Sequence, residues 1–439
     1  MKTRWIAGAA CAALMGIALP ANAATSPGLP SAAIQVSPSA EQAVDAFYAS
    51  RGGSPLWLRS GADSGAAREL LGVLERATLD GYASGPALAA HAQTLMTRAQ
   101  AGDIEALRAA DRLLTVAWVS YVQKLQRPSS GMIYGDPAVT PRTQSAAQIL
   151  SVTASAPSLL SHVRSISQVN PLYAQLRDAA WAEMQANGSV DGRVLASLDR
   201  VREAPAHGKY VMVDAASARL YMIEDGRIAD SMKVVVGKPG AETETPMMAS
   251  TIYYATLNPY WHVGGEMVRS LTAKNVLQQG VSYLTERGYQ VMPADPNDNR
   301  VLDPSTVDWK AVADGTLQVR VRQLPGPANS MGRMKIGFPN SQDIYLHDTP
   351  SKALFAQDDR GVSHGCVRLE DADRLARWMF DGRRPQAASD APEQHVQLPT
   401  PVPIYLTYLT AQARGGQLAY VDDIYGRDAN ASMRVAAAR

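Results

Sequence analysis

The stretch from Arg360 to Arg368 reads RGVSHGCVR and combines residue types that can transfer an acyl group. It holds Cys366, one of two cysteines in the chain, with His364 two residues before it and His347 nineteen before it. A thiol nucleophile needs a base or a cation nearby, and a histidine partner lowers the pKa of the thiol. Cys366 is therefore a candidate nucleophile, although a free cysteine can also pack as a small buried hydrophobe.

Gly365 and two arginines give the same stretch the features of a substrate site. Gly365 leaves room for the backbone to approach a substrate carbonyl, so the amides near Gly365 and Cys366 are candidate oxyanion donors. Arg360 and Arg368 flank the cysteine, and arginine holds a carboxylate through two parallel hydrogen bonds. These residues therefore predict a substrate that carries an acidic group.

The N-terminal sequence MKTRWIAGAACAALMGIALPANAATS is typical of a secretory signal peptide. A basic start precedes an apolar run and a small-x-small site, so we expect cleavage after Ala23. The apolar run is shorter than the roughly 20 residues of a membrane helix, which argues against an anchor, and no later stretch approaches that length. Cys11 leaves with the signal, and Cys366 then remains as a lone thiol in an oxidising compartment, unable to form a disulfide within its own chain.

Composition excludes several kinds of partner and cofactor. The net charge of the 439 residues is +1 and the chain has no basic block, so nucleic acid is excluded as a partner. No group of cysteine, histidine and acidic residues has the spacing of metal ligands, so we expect neither a metal nor another cofactor. The length exceeds what one hydrophobic core usually serves, which predicts two or three domains.

The periodicity of the apolar residues changes once along the chain and predicts an α+β protein. Residues 24–38 are rich in Pro, Ser and Ala and are typical of a flexible leader. Residues 39–205 repeat apolar residues at three- and four-residue spacing, which predicts an α-helical scaffold domain. Residues 206–439 alternate apolar and polar residues between turn signals, which predicts a β-rich domain with mixed strands.

Two motifs resemble the signature of L,D-transpeptidases with a YkuD-type catalytic domain, namely IYLHDTP at 344–350 and RGVSHGCVRLED at 360–371. The shared pattern is a histidine, a loop of moderate length and then Ser/Thr-His-Gly-Cys, and it is specific. MKVVVGKPG and the pair Thr245-Pro246 resemble the early strand and loop of the family. Four further segments are similar to the large periplasmic Gram-negative members: FYASRGGSPLW, NPYWHV, MGRMKIGFPN and DDIYGRD. The resemblance covers nearly the whole mature chain. It implies a helical scaffold followed by a mixed β-rich catalytic domain, in which residues 261–329 form an inserted substrate cap.

The resemblance also implies a role for each residue of the motifs. Cys366 would be the nucleophile, and His347 the general base, oriented by the backbone carbonyl of Asp348. His364 and Gly365 would line the oxyanion region together with Cys366. The residues expected to bind substrate are Arg368, Arg360, Ser363, Tyr260 and Trp261.

Alternatives remain open for several of these side chains. His364 could serve as the base, although a residue two positions along the strand from Cys366 sits too far away for a firm bond. His347 could be a structural core residue. Aromatic side chains such as Tyr260 and Trp261 are more often core than groove, and Tyr345 is expected in the core.

The family resemblance implies periplasmic chemistry on peptidoglycan stem peptides. Members cut after the third stem residue, release D-Ala, form a thioester and pass the acyl group to an amine of a second stem. The expected partners are donor and acceptor stems, and carbapenems are the usual inhibitors of the family. Two other functions stay open, an L,D-carboxypeptidase that uses water as the acceptor and a non-catalytic peptidoglycan-binding protein.

Two departures from the family pattern bear on the substrate. The peptidoglycan-binding module of the large members is missing from the sequence, because only about thirty residues separate the last scaffold motif from the first strand. Gly264 and Gly265 stand where the family favours prolines. Some alpha- and betaproteobacterial members form cross-links between L-Ala and diaminopimelate, and a more flexible loop here would suit that reaction.

Overall fold

The computed structural model describes residues 38–59, 61, 62, 64–429, 435 and 436. The predicted signal peptide, residues 1–23, and the leader up to residue 37 lie outside the described residues. Pro38, placed at the end of the leader by the sequence, begins the first helix. In the part of the chain that is described, no helix has the length and hydropathy needed to cross a membrane.

Six helices form the first packed unit around one hydrophobic core. Their N-termini are stabilised by side-chain caps, since Asp103, Ser145 and Ser158 each accept a hydrogen bond from an amide in the first turn of the following helix. The apolar faces meet around Trp57 and Trp118, which are both fully buried. The helices are α1 (Pro38–Ser50), α2 (Gly65–Glu75), α3 (Gly85–Gln100), α4 (Ile104–Leu125), α5 (Ala146–Ser155) and α6 (Leu159–Gln168).

The next two helices, α7 (Pro171–Asn187) and α8 (Gly192–Val201), pack on the β-sheet rather than in the core of the first six. Leu176 of α7 shares a core with Tyr210 and Tyr405 of the sheet. Helices α7 and α8 therefore pack with the sheet, whereas the predicted boundary at residue 205 assigns them to the scaffold domain. Helical periodicity identifies the apolar face of a helix but not the surface that covers it.

The remaining elements are mostly short strands. The strands are β1 (Ile133–Tyr134), β2 (Ser189–Val190), β3 (Lys209–Asp214), β4 (Arg219–Glu224), β5 (Arg227–Gly237), β6 (Met248–Leu257), β7 (Trp261–Val263), β8 (Tyr289–Pro293), β9 (Val319–Gln323), β10 (Met334–Gly337), β11 (Leu346–His347), β12 (Gly361–Ser363), β13 (Val367–Leu369), β14 (Gln394–Thr407), β15 (Ala411–Arg414), β16 (Gln417–Tyr420) and β17 (Val435–Ala436). The later helices are α9 (Gly265–Met267), α10 (Ala273–Gln279), α11 (Ser282–Glu286), α12 (Trp309–Asp314) and α13 (Ala372–Met379).

The main sheet has ten strands and closes on itself. Its order is β1-β6-β10-β11-β13-β5-β4-β3-β14, β12 pairs with β5, and β14 also pairs with β6. The pairing of β14 with β6 is interrupted between Gln397 and Val402, where two prolines break the ladder. The enclosed core contains Val234, Leu346 and Leu369 and is covered at one side by Leu375 of α13.

Strand β1 comes from the helical half of the chain but belongs to the main sheet. Ile133 pairs in parallel with Met248, and Tyr134 with Ala249. Asp136 follows directly and accepts a hydrogen bond from the hydroxyl of Tyr253 at 2.5 Å. The two halves are thus joined through shared sheet hydrogen bonds as well as through the chain.

Between β6 and β10 the chain leaves the main sheet and forms a separate subdomain, which we call the cap. A three-stranded sheet of order β7-β9-β8 packs against α10, α11 and α12 around a core that includes Trp309 and Leu284. Two amides hold the neck of the cap. Buried Asn329 donates to Pro259 O at 3.0 Å and to Leu324 O at 2.9 Å, and Gln323 donates to Ala328 O at 3.0 Å.

Candidate active site

The central strand of the site is β11, which has β10 on one side and β13 on the other. His347 pairs with Lys335 across the antiparallel β10 and with Arg368 across the parallel β13. Side chains that lie opposite each other in neighbouring strands point to the same face. Lys335, His347 and Arg368 therefore form a row on one face of the sheet, and Tyr345 and Cys366 occupy the next positions on that face.

This face forms one wall of a cleft of about 670 Å³, and the cap forms the other. Lys335, Tyr345, His347, Cys366 and Arg368 line the cleft from the sheet. The cap contributes Tyr260, Trp261, His262, Gly264, Met267 and Leu271. The sequence-predicted thiol, both histidines of the motif and the two aromatic residues thus meet in one cleft.

His347 is buried, and its orientation is fixed by the next residue. Its Nδ1 lies 2.6 Å from the backbone oxygen of Asp348, and because a carbonyl only accepts, Nδ1 carries the proton. The Asp348 carboxylate is held in turn by Lys352 Nζ at 2.8 Å and by the amide of Arg333 at 3.0 Å. Nε2 of His347 is then left without a proton and can act as a base.

The environment keeps His347 neutral. Burial lowers its pKa to about 4, and the positive charges of Arg368 and Lys335 act in the same direction, against the hydrogen bond to Asp348. An imidazole with this pKa is unprotonated near pH 7. It can therefore accept a proton from a thiol or an amine there.

Cys366 is partly exposed, and its Sγ lies 3.6 Å from the backbone oxygen of Asp343. Burial raises the pKa of the thiol, while hydrogen bonds from Tyr345 and the charge of Lys335 oppose the rise. The resting thiol is consequently protonated near neutral pH. This arrangement favours removal of the proton by His347 during attack over a preformed thiolate–imidazolium pair.

The Ser-His-Gly-Cys turn is held by hydrogen bonds that use two of the expected substrate-binding groups. Ser363 Oγ donates to the backbone oxygen of Cys366 at 2.6 Å and accepts from the amide of Gly365 at 3.2 Å. The buried Ser363 therefore shapes the turn, and it also lines the cleft, so its role as a substrate contact stays a prediction. Because the Gly365 amide is already used, the free oxyanion donor is the amide of Cys366, which has no acceptor among the described residues.

Gly365 and Thr245 fix the position of that turn relative to the sheet. Gly365 has a φ of +106°, and a Cβ there would lie 3.0 Å from Ile344 Cδ1, so only glycine fits. Thr245 Oγ1 donates to the oxygen of Gly365 at 2.8 Å and accepts from the amide of Gly237 at 2.9 Å. The threonine hydroxyl thus ties the turn to strand β5.

The two arginines that flank the cysteine have different environments. Arg368 lines the cleft in the row with His347. Arg360 instead donates to backbone oxygens, to Gln357 O at 2.9 Å, Val234 O at 3.2 Å and Ala218 O at 3.2 Å. The prediction that Arg360 binds a substrate carboxylate is therefore corrected, since its guanidinium stabilises loops behind the site.

His364 and the aromatic residues also take definite positions. His364 is exposed where it lines the cleft, and burial, Lys238 and Arg368 lower its pKa. Trp261 packs against Tyr289 of the cap, with ring centroids 6.1 Å apart and planes tilted by 51°, so it contributes both to the cap core and to the cleft wall. Tyr345 was expected in the core, but it lines the cleft beneath Lys335 Nζ, which lies 4.2 Å from its ring centroid.

Sequence reasoning missed Lys335, Asp343 and Thr245. Lys335 and Asp343 line the cleft, and Thr245 holds Gly365. Lys335 could have been found from its alternation with apolar residues in Met334–Gly337, which marks a half-buried strand. The other two carry no such signal. Among the described residues, no group of three or more metal-ligating side chains comes together.

Each half of the chain matches the model of a known protein family. Residues 208–404 match the family model of the L,D-transpeptidase catalytic domain, YkuD, and residues 42–179 match that of the Scaffold domain. A Haemophilus influenzae protein provisionally named an L,D-transpeptidase is 27% identical over 394 residues, which are 87% of this chain and 77% of that protein.

Solved structures of L,D-transpeptidases are also similar to part of the chain. One from Mycobacterium smegmatis is 16% identical with a TM-score of 0.24, and the match covers 46% of this chain and 59% of that one. L,D-transpeptidase 3 from Mycobacterium tuberculosis, in complex with a faropenem-derived adduct, is 14% identical with a TM-score of 0.23, covering 46% of this chain and 61% of that one. The matches span less than two thirds of either protein.

Residues 208–404 therefore form an L,D-transpeptidase catalytic domain of the YkuD type. The N-terminal half of the chain carries a Scaffold domain. The predicted α+β architecture, a helical scaffold followed by a β-rich catalytic domain, is thereby confirmed.

Proposed function

We propose that this protein is an exported, periplasmic L,D-transpeptidase that cross-links stem peptides through a thioester on Cys366. The observation that carries the proposal is that a neutral, oriented His347 and a partly exposed Cys366 line the same cleft. Neutral histidine and protonated thiol are the states from which general-base attack starts.

Acylation follows from the hydrogen-bonding capacities of these groups. His347 Nε2 removes the thiol proton while Sγ attacks the stem carbonyl, and the developing oxyanion accepts a hydrogen bond from the Cys366 amide. The C–N bond then breaks, and His347 returns the proton to the departing amine. In the second half-reaction an acceptor amine gives its proton to His347, attacks the thioester and releases the thiol.

The charges of the cleft favour an anionic donor. Arg368 and Lys335 both line it from the sheet, and the described residues place no carboxylate in an ion pair with either of them. A stem peptide carries several carboxylates, which would be bound by these cations. Tyr260 and Trp261 would contact the stem from the cap side.

We also propose which bond of the stem peptide is cut. Gly264 lines the cleft, and a Cβ added at Gly264 or Gly265 would meet no atom within 4 Å. These glycines therefore leave space that a side chain would fill. That space supports cutting after L-Ala as well as after the third stem residue, so L-Ala–diaminopimelate and diaminopimelate–diaminopimelate cross-links are both candidate products.

Mass spectrometry of muropeptides tests the proposal directly. The mature protein would be incubated with defined monomers beside Cys366→Ala, and we expect dimers with the wild type and none with the variant. Loss of D-Ala would indicate cutting after the third residue, and loss of the stem beyond L-Ala would indicate the inner bond. Shortened monomers alone would show a carboxypeptidase, and no reaction at all would favour a non-catalytic binding protein.

Two further measurements test whether Cys366 is the acylated residue and whether the protein is exported. A carbapenem should add one acyl group to the wild type and leave Cys366→Ala unmodified, as measured by the mass of the intact protein. N-terminal sequencing of protein from a periplasmic extract should begin at Ala24. An uncleaved product in the cytoplasm would contradict the proposed export to the periplasm, but it would not contradict the proposed reaction.

A further inference from the structure

A fixed turn presents Asp343 to the cleft beside the thiol. Asn340 makes four hydrogen bonds in this turn, accepting from the amides of Gln342 and Ile344 at 3.0 Å and donating to Phe338 O at 2.9 Å and Ile344 O at 2.8 Å. Asp343 has a φ of +51°, a left-handed conformation that Asp and Asn tolerate better than most residues. Its position is therefore set by the turn and not by its own side chain.

The carboxylate of Asp343 has no visible structural role. Its backbone oxygen accepts from Cys366 Sγ at 3.6 Å, so the residue lies next to the reacting atom. Among the described residues no donor bonds to the carboxylate, and of the described residues that line the cleft only Asp343 is acidic. An exposed carboxylate without a partner beside a nucleophile is free to bind a substrate cation.

Charge in the cleft is divided along the strands. Lys335 and Arg368 flank His347 in one row across three strands. Cys366 lies two residues before Arg368, at the next position on the same face. Asp343 lies further in the same direction, four residues before His347. These charged side chains would orient the substrate, because its carboxylates are attracted to Lys335 and Arg368 and its ammonium group is attracted to Asp343. The thiol lies between the two regions.

We propose that Asp343 binds the ammonium group of the acceptor stem and places it for attack on the Cys366 thioester. The inference rests on the proposed function and adds the acceptor site to it. In the step, His347 first takes one proton from the ammonium group and releases it to solvent. The amine nitrogen then bonds to the thioester carbon and gives a second proton to His347 as the C–S bond breaks. His347 passes that proton to the leaving sulfur, which restores the free thiol, and the third hydrogen stays on the amide nitrogen.

Hydrolysis of the thioester needs no such group. Water carries no charge, so a cleft without an ammonium site would favour carboxypeptidase activity. Asp343 would thus decide the ratio of cross-linking to hydrolysis without taking part in acylation.

The test compares acceptors on Asp343→Asn, a change that removes the charge and keeps the left-handed preference. The wild type and the variant would react with a tetrapeptide donor and either diaminopimelate, which carries ammonium groups, or hydroxylamine, which is largely uncharged at neutral pH. We expect kcat/KM for diaminopimelate to fall about tenfold, as for loss of one charge-assisted hydrogen bond. Hydroxylamine aminolysis and the rate of carbapenem acylation should not fall.

Matched variants separate this role from a general electrostatic effect. Asp358→Asn removes an exposed charge that does not line the cleft and should behave as the wild type. Asp343→Glu keeps the charge and should retain more of the diaminopimelate reaction than Asp343→Asn. Equal losses with both acceptors, or no loss with diaminopimelate, would overturn the inference while leaving the transpeptidase intact. A wild type that forms thioester but only hydrolyses it would overturn both the inference and the cross-linking activity.

Discussion

His347 and Cys366 are both held in their uncharged forms by burial. The pKa of His347 is lowered to about 4, and that of the Cys366 thiol is raised. A base that is already neutral and a thiol that is still protonated form a pair in which the proton moves only during attack. A thiol held in this form is poorly reactive toward oxidants, because the thiolate is the reactive species.

The pH dependence of alkylation tests this description. A raised pKa means that the thiolate fraction lies below that of free cysteine at every pH, so the rate of iodoacetamide labelling should climb through pH 7 to 9 without a plateau. Cys366 is the one cysteine left after the expected signal cleavage, and Cys366→Ser provides the background. A rate plateau with a midpoint below pH 7 would instead indicate a preformed ion pair.

At the scale of single residues, the sequence predicted that Cys366 and His347 lie in one cleft better than it predicted where the neighbouring side chains point. Cys366 and His347 belong to a motif whose chemistry constrains both residue types. Arg360 and Arg368 lie six and two residues from Cys366 in sequence, yet neighbouring backbone oxygens bind Arg360, whereas Arg368 lines the cleft. The direction of a long side chain depends on packing partners distant in sequence, which spacing does not reveal.

Among the elements, the loop between β5 and β6 supports the catalytic turn. Thr245 in this loop bonds both Gly237 and Gly365, and its amide donates to Tyr425 Oη at 3.4 Å. Tyr425 Oη also donates to the oxygen of Gly237 at 2.6 Å. A segment near the C-terminus, a loop and the Ser-His-Gly-Cys turn are therefore connected by one set of hydrogen bonds.

Replacing the threonine should weaken the turn. Thr245→Val keeps the shape but leaves the Gly237 amide and the Gly365 oxygen without this partner, so we expect a loss of about 2 kcal/mol in the free energy of unfolding. The rate of carbapenem acylation should fall about tenfold, because the oxyanion donor next to Gly365 becomes less well placed. Denaturant unfolding and acylation kinetics measure the two effects.

Thr243→Val is the matched control in the same loop. Thr243 Oγ1 donates to Lys238 O at 3.1 Å and Gly240 O at 3.2 Å but does not reach the catalytic turn. Acylation should therefore stay near the wild-type rate. If both variants slowed acylation equally, the loop as a whole and not the Thr245 hydroxyl would be responsible.

The sequence predicted an element where the hydrophobic pattern repeats over many residues, and failed where the element is too short to show a pattern. Helix α4 buries Leu114, Trp118 and Tyr121, the face that its spacing predicts. Strand β1 has two residues, too few for an alternating pattern, and its partner β6 begins more than a hundred residues later. Its place in the sheet is decided by tertiary contacts alone.

For the whole molecule, the two family domains do not coincide with two independent folding units. Helices α7 and α8 cover Tyr210 and Tyr405 of the sheet, and β1 adds an edge strand to it. The sequence-predicted boundary at residue 205 would separate all three elements from the sheet they cover. Burial of each large apolar side chain contributes about 1.5–3 kcal/mol, which is a large part of the total stability of a typical domain.

Truncation should therefore reveal the true boundary. A fragment of residues 206–439 should be insoluble or lack a cooperative thermal transition, because the sheet face is uncovered. A fragment of residues 170–439 restores α7 and α8 but still lacks β1, so it should fold with a lower Tm than residues 38–439. Circular dichroism melts of the three fragments make the comparison. A cooperative, carbapenem-reactive 206–439 fragment would contradict it.

The short strand β1 has a mechanical consequence for the protein. It is tethered on both sides by scaffold helices, α4 and α5, while its hydrogen bonds belong to the catalytic sheet. The segments 126–132 and 135–145 join it to those helices, so the scaffold can move relative to the sheet only as far as these two segments allow while β1 stays paired. Under the proposed function, a surface bound by the scaffold would then limit the height and angle at which Cys366 meets a stem. Reach, as well as affinity, would select which stems can be joined.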